Sequence, residues 1–219
     1  MAASDSSTPA PDRPRPLFAR LYARITTGMD EQGLADLRRE MLRVVSGRVV
    51  EVGCGNGMNF AHYPATVTQV HAIEPEPYLR DLALSAAKRA PVPVTVSPGR
   101  GEALPFPAGF ADCGVLSMAL CAMPDERAAA SELARVIRAG GVLVFLEHCA
   151  AETRGLRLVQ RVADATIWPL LTGGCHTARD PLAAISAAGF AVTASRRLLY
   201  PEHPQVPSSP HILGRASRC

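Results

Sequence analysis

A short apolar run that leads directly into a glycine-rich turn is the feature that most constrains the fold of this chain. Residues 49–57 read VVEVGCGNG, with glycines at alternate positions after the run. A buried strand followed by such a turn is typical of an open α/β sheet, where backbone N–H groups face a nucleotide-like ligand. The pattern therefore predicts a ligand site directly after the first strand. A tight turn with Asn56 or Asn59 as a helix cap is the plainer alternative.

Two acidic residues narrow the kind of ligand that this turn can bind. The dinucleotide fingerprint G-x-G-x-x-G would need a third glycine where this chain has Met58. Glu51 lies within the strand end, where a carboxylate would repel a pyrophosphate but could bind an α-ammonium group. Glu74 ends the next apolar run and could accept hydrogen bonds from both hydroxyls of a ribose. Together with close backbone approach at Gly53 and Gly55, these acids indicate S-adenosylmethionine, and a nicotinamide cofactor is the alternative.

Length and composition favour one soluble domain. The chain has 219 residues, 47% of them apolar, which is enough for one buried core and too short for two full domains. A net charge of +3 with scattered arginines gives no reason to expect a nucleic-acid partner. No window approaches the ~18 apolar residues of a membrane span, and no signal-peptide core is present. Residues 1–16 are polar and proline-rich, so we expect a disordered tail.

The cysteines indicate a reducing compartment. None of them forms a C-x-x-C pair, and most lie within apolar runs, so the spacing predicts neither a disulfide framework nor a zinc site. They are Cys54, Cys113, Cys121, Cys149, Cys175 and Cys219. We therefore expect no bound metal and a cytoplasmic location.

Apolar strand-like runs alternate with helical stretches along most of the chain. The expected strands cover residues 48–52, 69–74, 92–96, 112–118, 142–148 and 191–199. The clearest helix covers 125–138 and should end at Gly140. Such alternation predicts an α/β fold, a Rossmann-like three-layer sandwich with a mostly parallel sheet.

Two accessory segments flank this repeating pattern in a single domain of residues 17–219. Residues 17–46 should form an amphipathic helix from Leu17, followed by a second helix over 31–45. Residues 153–177 insert a long arginine-bearing helical stretch after the fifth strand, which is where a substrate lid is expected.

Further candidate cofactor residues follow the other strands, because ligands of open α/β sheets bind beyond the carboxyl ends of the strands. Backbone groups around Glu102 and Ala103 could bind an adenine edge. Ser117 and Met118 could flank the methionine part and the transferred methyl group. The full set of expected cofactor-binding residues is Glu51, Gly53, Gly55, Asn59, Glu74, Pro75, Glu102, Ala103, Ser117 and Met118. A solvated loop acid at Glu102 and an ordinary buried hydroxyl at Ser117 are the alternatives.

The motifs EVGCGNG, IEP, GEALPFP and SELARVIRAGG resemble, in order and spacing, those of class I S-adenosylmethionine-dependent methyltransferases over roughly residues 48–150. The later FLEHCAAE motif at 145–152, together with Asp164, Trp168, Gly174-Cys175, Arg179 and a final PHI, resembles the methyltransferase-like 7 group. The resemblance implies a seven-stranded sheet with an antiparallel last strand near 212–216. It also implies methylation of alkyl thiols. The chain departs from that group in its proline-rich start and in having His176 where asparagine is expected.

His148 is the expected catalytic residue. It follows the fifth strand beside the predicted methyl donor, and histidine titrates in the range that assists deprotonation of a thiol with a pKa near 8.5. A hydrogen bond to a loop carbonyl is an equally plain role for it. The expected substrate pocket comprises Tyr22, Cys121, Asp164, Trp168 and His176. For Asp164, a surface ion-pair cluster with Arg157 and Arg161 is the structural alternative.

The leading hypothesis is methyl transfer to a small, apolar thiol. Methylation of an oxygen or carbon on a quinone, lipid or natural product is the sister hypothesis. A nicotinamide-dependent oxidoreductase and a non-catalytic binding module are the alternatives from other classes. We expect a small-molecule substrate, and a peripheral membrane contact through the arginine-bearing face at 154–161 is a weaker suggestion. The sequence leaves the oligomeric state open.

Overall fold

The protein is described by a computed structural model that covers residues 16–203 and 205–219. The expected tail lies outside these residues, except for Pro16, where the first helix begins. The strands are β1 (Gly47–Val52), β2 (Val67–Ile73), β3 (Val94–Ser97), β4 (Ala111–Ser117), β5 (Ile137–His148), β6 (Phe190–Leu199) and β7 (Pro210–Arg218). The helices are α1 (Pro16–Met29), α2 (Ala35–Leu42), α3 (Pro77–Ala87), α4 (Glu126–Val136), α5 (Arg154–Asp164), α6 (Trp168–Leu171) and α7 (Pro181–Ala187).

The strands form one seven-stranded sheet in the order β3-β2-β1-β4-β5-β7-β6. Strands β1 to β5 are parallel to their neighbours, whereas β7 is antiparallel to both β5 and β6. The predicted mostly parallel sheet with an antiparallel last strand is therefore confirmed, and β7 includes the expected 212–216. In the described residues, no helix is both long and apolar enough to cross a bilayer.

Apolar residues cover both faces of the sheet because the central parallel strands are buried on both sides. On one face, Val50 and Phe145 pack with Leu133 of α4 and Ile185 of α7. On the other face, β1, β2 and β4 pack against α2 and α3. That second core includes Val49, Val70 and Val115 from the strands and Met41, Leu42 and Ala83 from the helices. Because successive side chains of a strand point to opposite faces of the sheet, the central strands contribute to both cores, and helices cover the sheet on both sides.

Two helices of the structure have different bounds from those expected, and in both cases a glycine is involved. The second N-terminal helix is not continuous over 31–45: a π-helical turn, Asp30–Leu34, precedes α2, and Gly33 has a φ of 108° inside it. Helix α4 ends at Val136 rather than at Gly140, because the fully buried Ile137 adopts an extended conformation and pairs with Ala111 at the start of β5. Strand β5 is therefore longer than the predicted 142–148.

Candidate functional site

The glycine turn after β1 has a conformation that side chains would oppose. Gly53, Gly55 and Gly57 have φ values of 71°, 56° and 81°, in the left-handed region that favours glycine. A Cβ atom at Gly53 would lie 2.7 Å from Cβ of Ala119, which follows β4. The turn therefore brings bare backbone to the carboxyl edge of the sheet, beside the loop after β4.

Glu74 is anchored to this turn. Its Oε2 accepts a hydrogen bond of 2.8 Å from the backbone N–H of Gly55, and its Oε1 accepts one of 2.9 Å from the N–H of Glu76. The side chain is 5% exposed, and this burial raises its pKa, although the two amide hydrogen bonds act in the opposite direction. The predicted ribose acid is thus fixed directly beside the glycine turn.

Glu51 lies in a buried hydrogen-bond network on the α2 face of the sheet. Its two carboxylate oxygens accept hydrogen bonds from Nδ2 of Asn59 at 2.8 Å and from the hydroxyl of Tyr63 at 2.7 Å. Burial raises the pKa of Glu51 to about 7, against the lowering effect of these two donors and of Arg38. The acid expected to bind an α-ammonium group therefore also fastens β1 to the segment that follows the glycine turn.

Arg38 of α2 is a central residue of this network that the sequence interpretation missed. Its Nη1 donates to Oδ1 of Asn59 at 2.8 Å and to Oγ of Ser117 at 3.0 Å, and its Nε pairs with Asp30 at 3.0 Å. The arginine is 3% exposed. Its position among the apolar residues Leu34, Met41 and Leu42, at helical spacing, was a signal that it faces the core.

Helix α1 covers the glycine turn. Cε1 of Tyr22 lies 3.3 Å from the position that a Cβ of Gly55 would take. Burial raises the pKa of Tyr22 to about 12, and the ring also lies within electrostatic reach of Arg38 and Glu74. Nδ2 of Asn56 donates to Oγ1 of Thr26 at 3.1 Å, which ties the helix to the turn.

The expected adenine-binding segment follows β3. Glu102 is half-buried, pairs with Arg100 at 3.5 Å and accepts a weak hydrogen bond of 3.4 Å from the N–H of Asp125. Ala103 is exposed, and its N–H donates to the carbonyl of Arg100 at 3.3 Å. Pro75 is also exposed, directly after Glu74. These residues stay candidate cofactor contacts at the same edge of the sheet.

The loop after β4 is held in place by a buried acid. Met118 has a φ of 53°, a value that non-glycine residues seldom adopt. One carboxylate oxygen of Glu147 accepts hydrogen bonds from the N–H groups of Ala119 at 2.9 Å and Leu120 at 3.1 Å, and the other accepts one from Cys121 at 3.4 Å. Burial raises the pKa of Glu147 to about 7. This carboxyl group shapes the loop that presents Cys121.

Three side chains from distant parts of the chain converge at the end of β5. Nδ1 of His148 lies 3.2 Å from Sγ of Cys121 and 3.4 Å from Sγ of Cys175, and the two sulfur atoms are 3.4 Å apart. The hydrogen bond with Cys121 and the neighbouring imidazole lower the pKa of Cys175 to about 5, although burial opposes this. Burial lowers the pKa of His148, but Cys175 and the nearby acids outweigh it and raise the value overall.

His211 of β7 backs this cluster. Its ring centroid lies 4.5 Å from that of His148, and its Nδ1 lies 2.9 Å from the carbonyl oxygen of Ser209. Burial lowers the pKa of His211 to about 3, so the ring is neutral at physiological pH. Its buried Nε2 has no hydrogen-bond partner among the described residues.

Two polar side chains fix the predicted lid segment: Asp164 binds the end of the segment itself, and Gln160 ties it to the body of the protein. Asp164 does not pair with Arg157 and Arg161, as the surface ion-pair alternative supposed. Its carboxylate instead accepts hydrogen bonds of 2.8 Å from the N–H groups of Thr177 and Ala178. The fully buried Gln160 accepts a hydrogen bond from the N–H of Ala151 at 2.7 Å. Its Nε2 donates to the carbonyls of Cys149, Thr177 and Pro207.

The remaining expected pocket residues lie on the same segment. Trp168 begins α6, is half-buried, and its Nε1 has no partner within the described part of the chain. The backbone N–H of His176 donates to the carbonyl of Cys121 at 2.9 Å. The predicted lid segment therefore meets the loop after β4 directly, and the sulfur of Cys175 faces Cys121 and His148 rather than its neighbour His176.

This strand order, with a glycine turn after β1 and an acid after β2 at the carboxyl edge, places a nucleotide-type ligand site there, and sequence matches to known proteins assign the chain to the S-adenosylmethionine-dependent methyltransferases. A sequence profile of the methyltransferase domain family matches residues 50–145. The chain is 32% identical to human thiol S-methyltransferase TMT1A over 91% of its own length and 85% of that protein. It is 34% identical to mouse thiol S-methyltransferase TMT1B over 80% of this chain and 73% of the relative. The chain belongs to this family of methyltransferases, which confirms the resemblance and the cofactor predicted from the motifs.

Solved structures share the fold at lower identity. A methyltransferase from Thermotoga maritima superposes with a TM-score of 0.68, at 20% identity, over 92% of this chain and 97% of that one. A geranyl diphosphate methyltransferase in complex with S-adenosylmethionine gives a TM-score of 0.66, at 16% identity, over 92% and 90% of the two chains. The fold likeness thus extends over about nine-tenths of the chain.

Proposed function

We propose that the protein transfers the methyl group of S-adenosylmethionine to the sulfur of a small apolar thiol. The observation that carries this proposal is the 32% identity to human thiol S-methyltransferase TMT1A, which extends over 91% of the chain and so includes the acceptor side as well as the cofactor motifs. A relationship limited to the cofactor half would not distinguish among acceptors.

The residues after β1 and β2 fit the cofactor. Gly53 and Gly55 bring backbone without side chains to this edge, where a Cβ would meet Ala119 or Tyr22, and the buried carboxyl group of Glu74 lies beside them. We infer that Glu74 binds the ribose hydroxyls and that the glycine turn approaches the methionine part. We propose that Glu51 attracts the α-ammonium group at a distance, because Asn59 and Tyr63 already bind its two carboxylate oxygens. When bound, the cofactor supplies a methyl group that its sulfonium has already activated.

The protein's own task is then to align the acceptor, exclude water and remove the thiol proton. The thiol of free cysteine has a pKa near 8.5, so only a few per cent of it is thiolate at neutral pH, and an apolar alkanethiol, which lacks electron-withdrawing neighbours, is ionised even less. We infer that His148 is the catalytic residue that assists this deprotonation. Its place at the end of β5, in contact with Cys121 of the loop after β4, supports that role.

The acceptor side is proposed to lie under residues 153–177, the lid, and under α1. Phe18 of α1 packs against Gly173 of the lid, so that the two segments meet above the sheet edge. Several apolar side chains of these segments are exposed: Leu17, Leu21, Ile25, Leu158, Val162, Ile167, Leu170 and Leu171. An entrance lined by such side chains suits an apolar acceptor. We infer that Tyr22, Trp168 and His176 contribute to its wall, and that Asp164 holds the lid closed.

A reducing, cytoplasmic setting fits the state of the thiols. All six cysteines are free, and five of them are buried. Disulfides are rare in such compartments. The proposed partner is a small molecule.

A labelled-methyl experiment with matched acceptors tests the proposed function. The protein would be incubated with S-adenosylmethionine carrying a labelled methyl group and with an alkanethiol, the alcohol of the same chain length, a phenol and a quinol. We expect the label in the methyl thioether, with little transfer to the alcohol. Transfer to the phenol or quinol but not to the thiol would overturn the thiol assignment in favour of O- or C-methylation. Lack of transfer to every acceptor would favour a binding module.

A further inference from the structure

The cluster of Cys121, His148 and Cys175 brings together three donor atoms that can bind a metal ion. The histidine ends β5, Cys121 lies in the short helix Leu120–Ala122 after β4, and Cys175 lies in the turn after α6. The two sulfur atoms belong to residues 54 positions apart. Because no two donors are close in sequence, the spacing rules that predict zinc sites could not find this group.

The distances suit a small tetrahedral centre. With Zn–S near 2.3 Å and Zn–N near 2.05 Å, tetrahedral geometry separates two sulfurs by about 3.8 Å and sulfur from nitrogen by about 3.6 Å. The observed separations are 3.4 Å between the sulfurs, and 3.2 and 3.4 Å from Nδ1 to the sulfurs. Each pair would have to move apart by about 0.4 Å or less to surround the ion.

Hydrogen bonds to backbone groups hold the three donor residues in this arrangement. Glu147 binds the N–H groups at the start of the short helix that carries Cys121, and the carbonyl of Cys121 accepts the N–H of His176 next to Cys175. The turn before Cys175 contains Gly173 and Gly174, with φ values of 68° and 95°, and the N–H of Gly174 donates to Pro169 at 2.7 Å. The donor set therefore rests on three fixed elements rather than on mobile surface side chains.

We propose that Cys121, Cys175 and His148 bind a zinc ion through two sulfurs and Nδ1, with a fourth coordination position open to the acceptor. Two thiolates and one imidazole are a donor set that zinc prefers, and three protein ligands with one open position are typical of catalytic zinc sites. A disulfide between the two cysteines would account for two of the converging atoms but not for the imidazole nitrogen. Binding of the ion displaces the protons of the two thiols to solvent.

This inference rests on the proposed function and specifies how the acceptor thiol is activated. The acceptor sulfur would take the open position and lose its proton to solvent, since a thiol bound to zinc is deprotonated. That sulfur then forms a bond to the methyl carbon while the bond from this carbon to the sulfonium sulfur breaks. The bonding electron pair stays with the cofactor sulfur, and the products are a thioether and S-adenosylhomocysteine. His148 would thus assist deprotonation as a ligand of the ion.

Metal content of the purified full chain tests the site without acceptor or cofactor. We expect about one equivalent of zinc by mass spectrometry of the metal, and a thiolate-to-metal charge-transfer band after replacement by cobalt. C121S and C175S should each lose most of the bound metal and the band. C219S, at an exposed cysteine, and C149S, at a buried cysteine outside the cluster, should keep both. Absence of stoichiometric zinc from the wild type even after zinc is supplied, or full retention in the C121S/C175S double variant, would overturn the proposal.

Removal of the zinc ion distinguishes the proposed role of the metal site from the proposed thiol methylation itself. Treatment with a chelator should lower kcat/KM for an alkanethiol at neutral pH by at least about tenfold, because only a small fraction of the free thiol is ionised there. Added zinc should restore the rate, and S-adenosylhomocysteine binding should not change. An unchanged rate after complete removal of zinc would overturn the activating role of the ion. The proposed thiol methylation would remain valid in that case. Stoichiometric zinc in a protein that methylates no thiol would instead refute the proposed function and leave the zinc site in place.

Discussion

Nη1 of Arg38 donates a hydrogen bond of 2.8 Å to Oδ1 of Asn59, and Asn59 in turn donates one of 2.8 Å to Glu51. This chain of side chains joins α2 to the end of β1 beneath the glycine turn. Because the same guanidinium also reaches Ser117 and Asp30, one buried arginine links the segment before α2, the residue that ends β4 and the segment after the glycine turn.

Replacement of Arg38 by methionine should destabilise the protein strongly. The substitution would leave Asp30, Asn59 and Ser117 without their buried donor, and removal of one partner from a buried ionic network costs about 3 kcal/mol or more. Urea unfolding followed by circular dichroism measures the loss. The control is R39M, at an exposed arginine paired with Asp36, which should change the free energy of unfolding by less than about 1 kcal/mol. Equal effects of the two substitutions would refute the structural role of Arg38.

The free energy of unfolding should fall as the pH rises towards neutrality, because Glu51 is buried in the folded protein. Its pKa is raised from 4.5 to about 7 in the folded protein, so the folded state keeps a proton that the unfolded state has released between these values. The stabilisation is therefore complete below the unfolded pKa and is lost as pH rises through about 7. A shift of this size corresponds to about 3 kcal/mol.

The substitution E51Q isolates this contribution, because Glu74 and Glu147 also have raised pKa values and remain in the variant. Urea unfolding at a series of pH values from about 5 to about 8 should show a smaller fall in stability for E51Q than for the wild type. Parallel curves for the two proteins would contradict the raised pKa of Glu51.

Gln160 should control the attachment of the lid. Q160L would leave the N–H of Ala151 and three carbonyl groups without their side-chain partner, at a cost of about 3 kcal/mol. Hydrogen exchange should accelerate in α5 and in the loop around Thr177 more than in the central strands. V159A, at a half-exposed neighbour on the same helix, is the control and should leave exchange in that loop unchanged. Similar protection in Q160L and the wild type would show that the lid is held by other contacts.

His148 should affect turnover and not cofactor affinity. H148A is expected to lower kcat for an alkanethiol by about 100-fold, the range in which proton-transfer groups contribute. The Kd for S-adenosylhomocysteine should stay within about twofold, because the cofactor contacts proposed at Glu74 and the glycine turn are retained. H203A, at an exposed histidine, is the matched control. Wild-type turnover by H148A would exclude His148 from the reaction.

The fold and the cofactor edge were predictable because their signals are local. Strand β1 and the turn containing Gly53 and Gly55 are contiguous, and Glu74 ends the next strand along the chain. The parallel order of such units then places these residues at one edge. Gly33 and Gly140 were harder to interpret, since a glycine can break a helix or fit within an extended segment, and tertiary contacts decide between them.

The acceptor side was less predictable because its contacts are long-range. Cys121 and Cys175 come together only through the turn that follows α6, and the sequence periodicity of helices and strands cannot predict a contact of this kind. The exchange of partners at Asp164, from the expected arginines to backbone N–H groups, likewise depends on how the lid folds back on the body. Helical spacing showed which residues share a face but not what that face meets.

Calorimetric titration of S-adenosylmethionine and S-adenosylhomocysteine tests the central claim, the cofactor site at the glycine turn, most directly. We predict saturable binding of both by the wild type, and at least about tenfold weaker binding by E74Q, which keeps one acceptor for the Gly55 N–H but loses the charge and one acceptor oxygen. D81N, at an exposed acid on α3, should bind like the wild type. Equal affinity of E74Q and the wild type would contradict the ribose assignment. Absence of heat with both ligands, together with clear binding of NADH, would contradict the account as a whole.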